Sequence, residues 1–131
     1  MTTVLFACVH NAGRSQMAAA FFNALADSKR ARAISAGSEP GECVHPEVVE
    51  AMREVGIELG RSRPRRLTEA LAASATWLVT LGCGETCPRV PGLRRLDWSI
   101  ADPKGQSPER VRAIRDTIRE RVGTLIAEQG W

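Results

Sequence analysis

The fold of this chain can be predicted starting from the segment Val4-Leu-Phe-Ala-Cys8-Val-His-Asn-Ala-Gly-Arg14-Ser15. The first four residues of this segment form a short apolar run, and a pattern of helical period follows at residues 16–25. Cys8 is therefore predicted to lie where a buried strand turns into a helix. At such a junction the backbone N–H groups have no partner within the helix, and the helix dipole adds partial positive charge. The turn can therefore bind an anion.

The residue types in this turn suit a tetrahedral oxyanion. Donors that hold an oxyanion also stabilise a thiolate, so we expect Cys8 to ionise easily. Arg14 supplies a planar, permanently charged fork for two oxygen atoms. Asn11 tolerates a left-handed backbone, Gly13 permits close approach, and Ser15 is placed to donate to the thiolate. The predicted anion-binding residues are Val9, His10, Asn11, Ala12, Gly13, Arg14 and Ser15. The alternative is a structural cysteine buried at a strand end.

Apolar runs alternate with segments of helical period along the rest of the chain, which indicates an α/β protein with a parallel sheet. Strands are predicted at residues 3–7, 32–36, 75–81 and 93–96, the last at an edge of the sheet. Helices are predicted at residues 14–27, 45–56 and 107–125, with a weaker candidate at 65–73 and a long loop at 82–92. We expect one domain over residues 1–131: a four-stranded parallel sheet flanked by helices, with its site at the carboxyl ends of the strands.

Composition narrows the class of protein. The 131 residues are 44% hydrophobic and 25% charged, as is ordinary for a soluble globular protein. No apolar run reaches membrane-spanning length and no signal-peptide pattern opens the chain, so we expect a cytoplasmic protein without a membrane partner. The net charge is +3, and the basic cluster at residues 61–66 lacks interleaved aromatic residues. We therefore expect no nucleic-acid partner and a solvated basic face, or else a positive rim that attracts anions.

The chain has four cysteines: Cys8, Cys43, Cys83 and Cys87. In a cytoplasmic chain they favour redox, catalytic or metal chemistry over a structural disulfide framework. Cys83 and Cys87 directly follow the third predicted strand. In a helix their sulfur atoms would lie one turn apart, whereas in an open loop either could reach Cys8. A zinc site that adds Cys43 or a histidine is the weaker alternative, because no second paired motif is present. Cys43 by itself is expected to be incidental.

These motifs resemble the low-molecular-weight protein tyrosine phosphatase superfamily. The loop from Cys8 to Ser15 matches its active-site loop, and Asp102-Pro103, before the last helix, matches its general acid. A nearby thiolate and partial burial would favour the protonated carboxyl that this role needs. The pair Cys83 and Cys87 narrows the resemblance to the arsenate reductases of the superfamily, which look like phosphatases with added redox cysteines. The resemblance covers nearly the whole chain, through residues 4–18, 35–37, 44–46, 51–52, 55–57, 79–81, 87–88, 102–103 and 105.

The resemblance implies a relay of three thiols. Cys8 attacks the arsenic of arsenate while Asp102 protonates a departing hydroxyl group. Cys83 then attacks Cys8 and arsenite leaves. Cys87 attacks Cys83 and moves the disulfide to a surface where an external reductant reaches it. The resemblance implies no tightly bound cofactor. We expect thioredoxin as the reductant, ahead of glutaredoxin with glutathione or mycothiol with mycoredoxin, because two extra cysteines suit an intramolecular disulfide.

The chain departs from the family pattern at two sites. The first relay cysteine of relatives falls at Gly82 here, and the spacing to the second is compressed, which leaves the order of Cys83 and Cys87 open. Ala19 stands where some relatives place a glutamate that helps to bind potassium, so no metal ion is predicted.

Two other functions remain open at this stage. One is a phosphatase that uses Cys8, Arg14 and Asp102 alone. Such phosphatases often carry aromatic residues after Asp-Pro, whereas Lys104-Gly105 follows here and favours a small inorganic oxyanion. The other is a sensor that binds arsenite or a metal without catalysis, for which the chain offers no output element such as a helix-turn-helix.

Overall fold

A sheet of four parallel strands, in the order β2-β1-β3-β4, forms the centre of the computed structural model, which describes residues 1–82 and 91–131. The strands are β1 (Thr2–Cys8), β2 (Ala31–Gly37), β3 (Trp77–Leu81) and β4 (Arg94–Trp98). The helices are α1 (Arg14–Leu25), α2 (Pro46–Arg53), α3 (Glu69–Ala73) and α4 (Pro108–Gln129). The predicted α/β class with a four-stranded parallel sheet flanked by helices is confirmed.

Strand β1 is buried on both faces. Val4 and Phe6 pack into the larger core cluster with α1, α2 and α4, whereas Leu5 and Ala7 join the smaller cluster beneath α3. A strand that is covered on both sides needs apolar residues at every position, which explains the continuous apolar run that opens the chain. None of the helices in the described residues combines the length and apolar composition that a membrane crossing requires.

The third predicted helix is shorter in the structure than in the prediction. We expected residues 65–73, but residues 65–67 run extended beside β2, and only Glu69–Ala73 is helical. The N–H of Gly37 donates to the carbonyl of Arg65 at 2.9 Å, and the N–H of Leu67 donates to the carbonyl of Gly37 at 2.8 Å. Thr68 then caps α3 by accepting the N–H of Leu71. Pairing with a distant strand therefore overrides the local helical preference.

The other boundaries shift by a few residues. Strand β4 covers Arg94–Trp98 instead of 93–96, and α2 ends at Arg53, before the left-handed Gly56 with φ 82°. The last helix begins as predicted, since Ser107 accepts the N–H of Arg110 and Pro108 opens the first turn. The loop predicted at residues 82–92 lies mostly outside the described residues.

The strand order places a crevice at the end of β1. From β1 the chain moves to β2 on one side, and it later returns to place β3 on the other side. In open parallel sheets such a reversal leaves a gap outside the carboxyl ends of the two strands, where ligands bind. Cys8 ends β1 and Gly82 directly follows β3, so both residues border this gap.

Candidate active site

The loop of residues 9–13 joins β1 to α1 and packs closely on the end of β2. Cys8 is buried, with 3% of its surface exposed. Asn11 has φ 49°, the left-handed conformation that the sequence predicted for it. At Gly37 a Cβ atom would lie 2.5 Å from the carbonyl oxygen of Val9 and 2.8 Å from the amide nitrogen of Asn11. Only a glycine there lets the loop lie against β2.

The carbonyl groups of this loop point outward. All five from Val9 to Gly13 accept hydrogen bonds from outside it: three from backbone N–H groups of residues 39–45, one from the side chain of Gln16 and one from the N–H of Met17. Across a trans peptide, the N–H of a residue points opposite to the preceding C=O. The N–H groups of residues 10–14 therefore point into the loop, and such a concavity of backbone donors binds anions.

The thiol of Cys8 lies in a buried hydrogen-bonded chain. Its Sγ is 2.8 Å from Oγ of Ser15, and Nδ2 of Asn11 donates to the same Oγ at 2.7 Å. Asn11 and Ser15 are both fully buried. Because the hydroxyl of Ser15 accepts from Asn11, its own hydrogen can be directed at the sulfur, where it would stabilise a thiolate. The predicted contact between Ser15 and Cys8 is present.

Arg14 begins α1, and its guanidinium is held at the end of β3. Nη1 donates to the carbonyl of Ile100 at 2.9 Å, and the side chain is only 10% exposed. Gly82 makes room for it, because a Cβ atom at this position would collide with Nη1. Gly82 also has φ 81°, a backbone conformation that favours glycine. The guanidinium has five N–H donors, of which Ile100 occupies one.

Asp102 approaches the loop from a segment that packs directly on it. Its Oδ1 accepts the N–H of Lys104 at 3.0 Å, and its Oδ2 lies 3.9 Å from Nη2 of Arg14. The carboxyl is half exposed, at 49%. Pro103 is buried, with its Cγ 3.0 Å from where a Cβ of Gly13 would stand. The structure thus brings the predicted nucleophile loop, arginine and general acid to one place.

The remaining predicted residues have other positions. His10 is exposed, and its Nδ1 lies 2.9 Å from the carbonyl oxygen of Glu39. Cys43 is an exposed free thiol. Cys83 and Cys87 lie outside the described residues, as does any zinc site that they would form. Within residues 1–82 and 91–131, no group of three or more His, Cys, Asp or Glu residues is arranged to hold a metal ion.

Four contributors to the site were missed by sequence reasoning. They are Gln16, Gly37, Gly82 and the carbonyl of Ile100. The two glycines directly end or follow strands, which is a signal for close backbone approach. Gln16 and Ile100 gave no such signal, because their roles depend on partners far along the chain.

A known family matches the fold and the loop described above. The chain belongs to the low molecular weight phosphotyrosine protein phosphatase family, whose profile matches residues 3–129. It is 36% identical over 131 residues to the glutaredoxin arsenate reductase of Synechocystis sp., covering 98% of each chain. The solved arsenate reductase of Archaeoglobus fulgidus is 35% identical with a TM-score of 0.82, over 95% of this chain and 98% of that one.

A thioredoxin-dependent arsenate reductase of Corynebacterium glutamicum is 36% identical with a TM-score of 0.81. The match covers 98% of the present chain and 61% of that longer chain. The resemblance to the arsenate reductases of the phosphatase superfamily is confirmed by these relatives.

Proposed function

We propose that this protein is an oxidoreductase that reduces arsenate to arsenite, for arsenic detoxification. The proposal rests on the buried thiol of Cys8, whose Sγ lies 2.8 Å from Oγ of Ser15 beneath a loop of inward-facing amides. Arsenate is a tetrahedral oxyanion that fits such a loop. The relatives described as arsenate reductases support the same substrate.

The first step forms a bond between sulfur and arsenic. The thiolate of Cys8 attacks the arsenic atom, and one As–OH bond breaks. Asp102, with its Oδ2 beside Arg14, donates the proton with which the departing group leaves as water. Arg14 and the amides of residues 10–14 neutralise the charge on the remaining oxygen atoms. This step needs only Cys8, Arg14, the backbone amides of residues 10–14 and Asp102.

The next steps move two electrons to arsenic. The thiolate of Cys83 attacks Sγ of Cys8, the sulfur–arsenic bond breaks, and its electron pair stays on arsenic. Arsenic(V) becomes arsenic(III), arsenite leaves, and a disulfide between Cys8 and Cys83 remains. Cys87 then attacks Cys83 and frees Cys8. An external dithiol reduces the resulting Cys83 to Cys87 disulfide, so each cycle oxidises one dithiol for each arsenate.

Thioredoxin is our proposed reductant. An intramolecular disulfide between Cys83 and Cys87 is a substrate that a dithiol protein reduces by two successive exchanges. The relatives include both a thioredoxin-dependent and a glutaredoxin enzyme, so the donor is decided by assay. Arsenate-dependent NADPH oxidation should be fastest with thioredoxin and its reductase, when compared at equal concentration with glutaredoxin and mycoredoxin systems.

Cysteine variants test the relay. Cys8→Ser should abolish arsenate-dependent NADPH oxidation, because no thiolate can attack arsenic. Cys87→Ser should release about one arsenite per protein in a single turnover and then stop, because the disulfide between Cys8 and Cys83 cannot move. Cys43→Ser, at the exposed thiol, is the control and should keep the full rate. Multiple turnover by Cys87→Ser would refute the relay, and arsenite binding without any turnover of the wild type would favour a sensor.

Hydrolysis of aryl phosphates is a second candidate activity. The family itself and the position of Asp102 beside Arg14 favour it, because the same loop binds phosphate and the same carboxyl group, when protonated, can give its proton to a departing phenoxide. Such hydrolysis would need neither Cys83 nor Cys87. If a Cys83→Ser, Cys87→Ser double variant lost arsenate reduction but kept p-nitrophenyl phosphate hydrolysis, the two activities would be separated.

A further inference from the structure

We infer that Gln16, together with the backbone of residues 63–65, is a positioning element that directs the hydrogen of Ser15 at the sulfur of Cys8. The inference rests on the proposed function only in taking Cys8 as the nucleophile. Gln16 does not touch the sulfur or the loop interior. It acts through Asn11, which the sequence predicted as an anion-binding loop residue with a left-handed backbone and not as part of a chain of hydrogen bonds to Gln16.

The amide nitrogen of Gln16 is surrounded by oxygen atoms. Nε2 lies 3.1 Å from the carbonyl oxygen of Asn11, 3.2 Å from Oδ1 of Asn11 and 3.3 Å from the carbonyl oxygen of Arg63. The residue is 7% exposed. The carbonyl oxygens of Asn11 and Arg63 can only accept, so the nitrogen and not the oxygen of the Gln16 amide must face them. Gln16 is therefore a buried donor with its orientation fixed.

A second donor reaches Asn11 from the same side. The backbone N–H of Arg65 donates to Oδ1 of Asn11 at 3.0 Å. A backbone N–H can only donate, so it and Gln16 both require the oxygen of the Asn11 amide to face them. The Nδ2 of Asn11 must then point the other way, and it meets Oγ of Ser15 at 2.7 Å.

This arrangement fixes the direction of each hydrogen bond in the series from Gln16 through Asn11 and Ser15 to Cys8. Ser15 receives a hydrogen from Asn11 and must place its own elsewhere, and Sγ of Cys8 lies 2.8 Å away. If the Asn11 amide were reversed, its oxygen would attract the hydrogen of Ser15, and the thiolate of Cys8 would lose a donor. The reversed amide would also set a nitrogen against the N–H of Arg65. Gln16 and residues 63–65 thus bias the amide toward the orientation that supports a thiolate.

Alkylation of Cys8 tests the inference without arsenate or reductant. Wild type, Gln16→Glu and Gln16→Met are pulsed with iodoacetamide between pH 6 and pH 10, and the modified fraction is measured by mass spectrometry. Trypsin releases residues 1–14 as one peptide, in which Cys8 is the only cysteine and which is identical in all variants. Gln129→Glu, at the exposed end of α4, is the charge-matched control.

Gln16→Glu should slow alkylation of Cys8 about tenfold at pH 7 and leave the rate at pH 10 unchanged, because the thiolate forms less readily but reacts normally. Gln16→Met, which removes the donor without adding charge, should slow it about threefold at pH 7. Gln129→Glu should match the wild type. If Gln16→Glu does not fold, as judged by urea unfolding, the Met variant carries the test.

Equal rates at pH 7 in the wild type and both Gln16 variants would overturn the inference. A fall by the same factor at pH 7 and pH 10 would also overturn it, because that result indicates altered access and not altered ionisation. If the wild type and the Gln16 variants are alkylated at the expected relative rates but the wild type does not reduce arsenate, the proposed function is refuted and the positioning role of Gln16 still holds.

Discussion

The guanidinium of Arg14 is oriented by partners within the protein itself. Nη1 donates to the carbonyl of Ile100, and Nη2 faces Asp102 at 3.9 Å. A donor that is already oriented loses little freedom when the oxyanion arrives, and this preorganisation is a main source of electrostatic catalysis. The position of Arg14 depends in turn on the missing side chain of Gly82.

Replacing Gly82 should therefore damage catalysis more than folding. In Gly82→Ala the new methyl group would displace Nη1 of Arg14, and we expect kcat/KM for arsenate to fall about tenfold or more, since small displacements of catalytic groups are costly. Urea unfolding should show a loss of about 1 kcal/mol from the left-handed backbone. Gly92→Ala is the matched control, because Gly92 has φ 86° and, its two chain neighbours apart, no atom of the described residues lies within 4 Å of where its new methyl group would stand.

Gly92→Ala should lose about as much free energy of unfolding as Gly82→Ala and should keep the kcat/KM of the wild type. If the two alanine variants had the same kcat/KM, the close approach of Gly82 to Arg14 would have no functional role.

At the scale of elements, periodicity predicted most of the fold. The apolar run before Cys8 indicated a buried strand, which the structure shows to be covered on both faces, and the Ser107-Pro108 pair indicated the start of α4. The predicted start of α3 was wrong because residues 65–67 pair with Gly37. No local sequence pattern indicates a partner so far along the chain. That extended segment is also what brings the N–H of Arg65 to Asn11.

Helices α2 and α4 are joined by an ionic cluster centred on Glu54. Nη2 of Arg112 and Nη1 of Arg115 each lie 2.9 Å from one of its oxygen atoms, and Arg115 also donates to the carbonyl of Ala51. The hydrogen bond from Arg112 is the largest influence and lowers the pKa of Glu54 below its ordinary value. Desolvation opposes it, and the hydrogen bond from Arg115 and the charges of both arginines lower the pKa further. The folded protein therefore binds a proton at Glu54 less readily than the unfolded chain does.

This lowered pKa gives a pH dependence with a definite sign. The stabilisation by Glu54 is present above the unfolded pKa of about 4.3 and is lost as the pH falls through the lower folded pKa. Glu54→Gln should thus have a lower free energy of unfolding than the wild type at pH 7, and the difference should narrow between pH 6 and pH 3. Urea titrations at several pH values measure this difference.

Glu128→Gln removes the same charge from α4, where the described part of the chain offers no ion-pair partner. The free energy of unfolding of Glu128→Gln should lie close to that of the wild type at every pH. A Glu54→Gln curve that runs parallel to the wild type from pH 7 to pH 3 would contradict the assignment.

At the scale of the whole molecule, the site is an assembly of distant segments. Cys8 and Arg14 could be predicted because each stands in a recognisable local context, at a strand end or a helix start, whereas Asp102 was predicted from the resemblance to the phosphatase superfamily and its place before the last helix. The groups that hold these residues in place could not be predicted, because the carbonyl of Ile100 and the backbone of residues 63–65 act without their side chains and leave no pattern in the sequence. An anion bound in the loop should therefore raise the free energy of unfolding of the whole protein.

Phosphate offers the test, because it resembles arsenate in shape and cannot be reduced. A ligand that binds only the folded state at one hundred times its Kd stabilises by about 2.7 kcal/mol. For a chain of this size we expect the thermal midpoint to rise by roughly 8 °C, measured against chloride at equal ionic strength. Cys8→Ser should keep most of this rise, because the loop amides remain. Arg14→Lys should lose most of it, since an ammonium group cannot replace the fork that reaches both the anion and Ile100.

Arg61→Lys, the same exchange in the exposed basic cluster, separates a specific site from general attraction of anions to a positive surface. It should respond to phosphate as the wild type does. If Arg14→Lys gained as much stability as Arg61→Lys, phosphate would be binding elsewhere, and the inward-facing amides of residues 10–14 would not form the anion site. A full response in Cys8→Ser, together with its loss in Arg14→Lys, would assign binding to the loop and the arginine and leave the chemistry to the thiol.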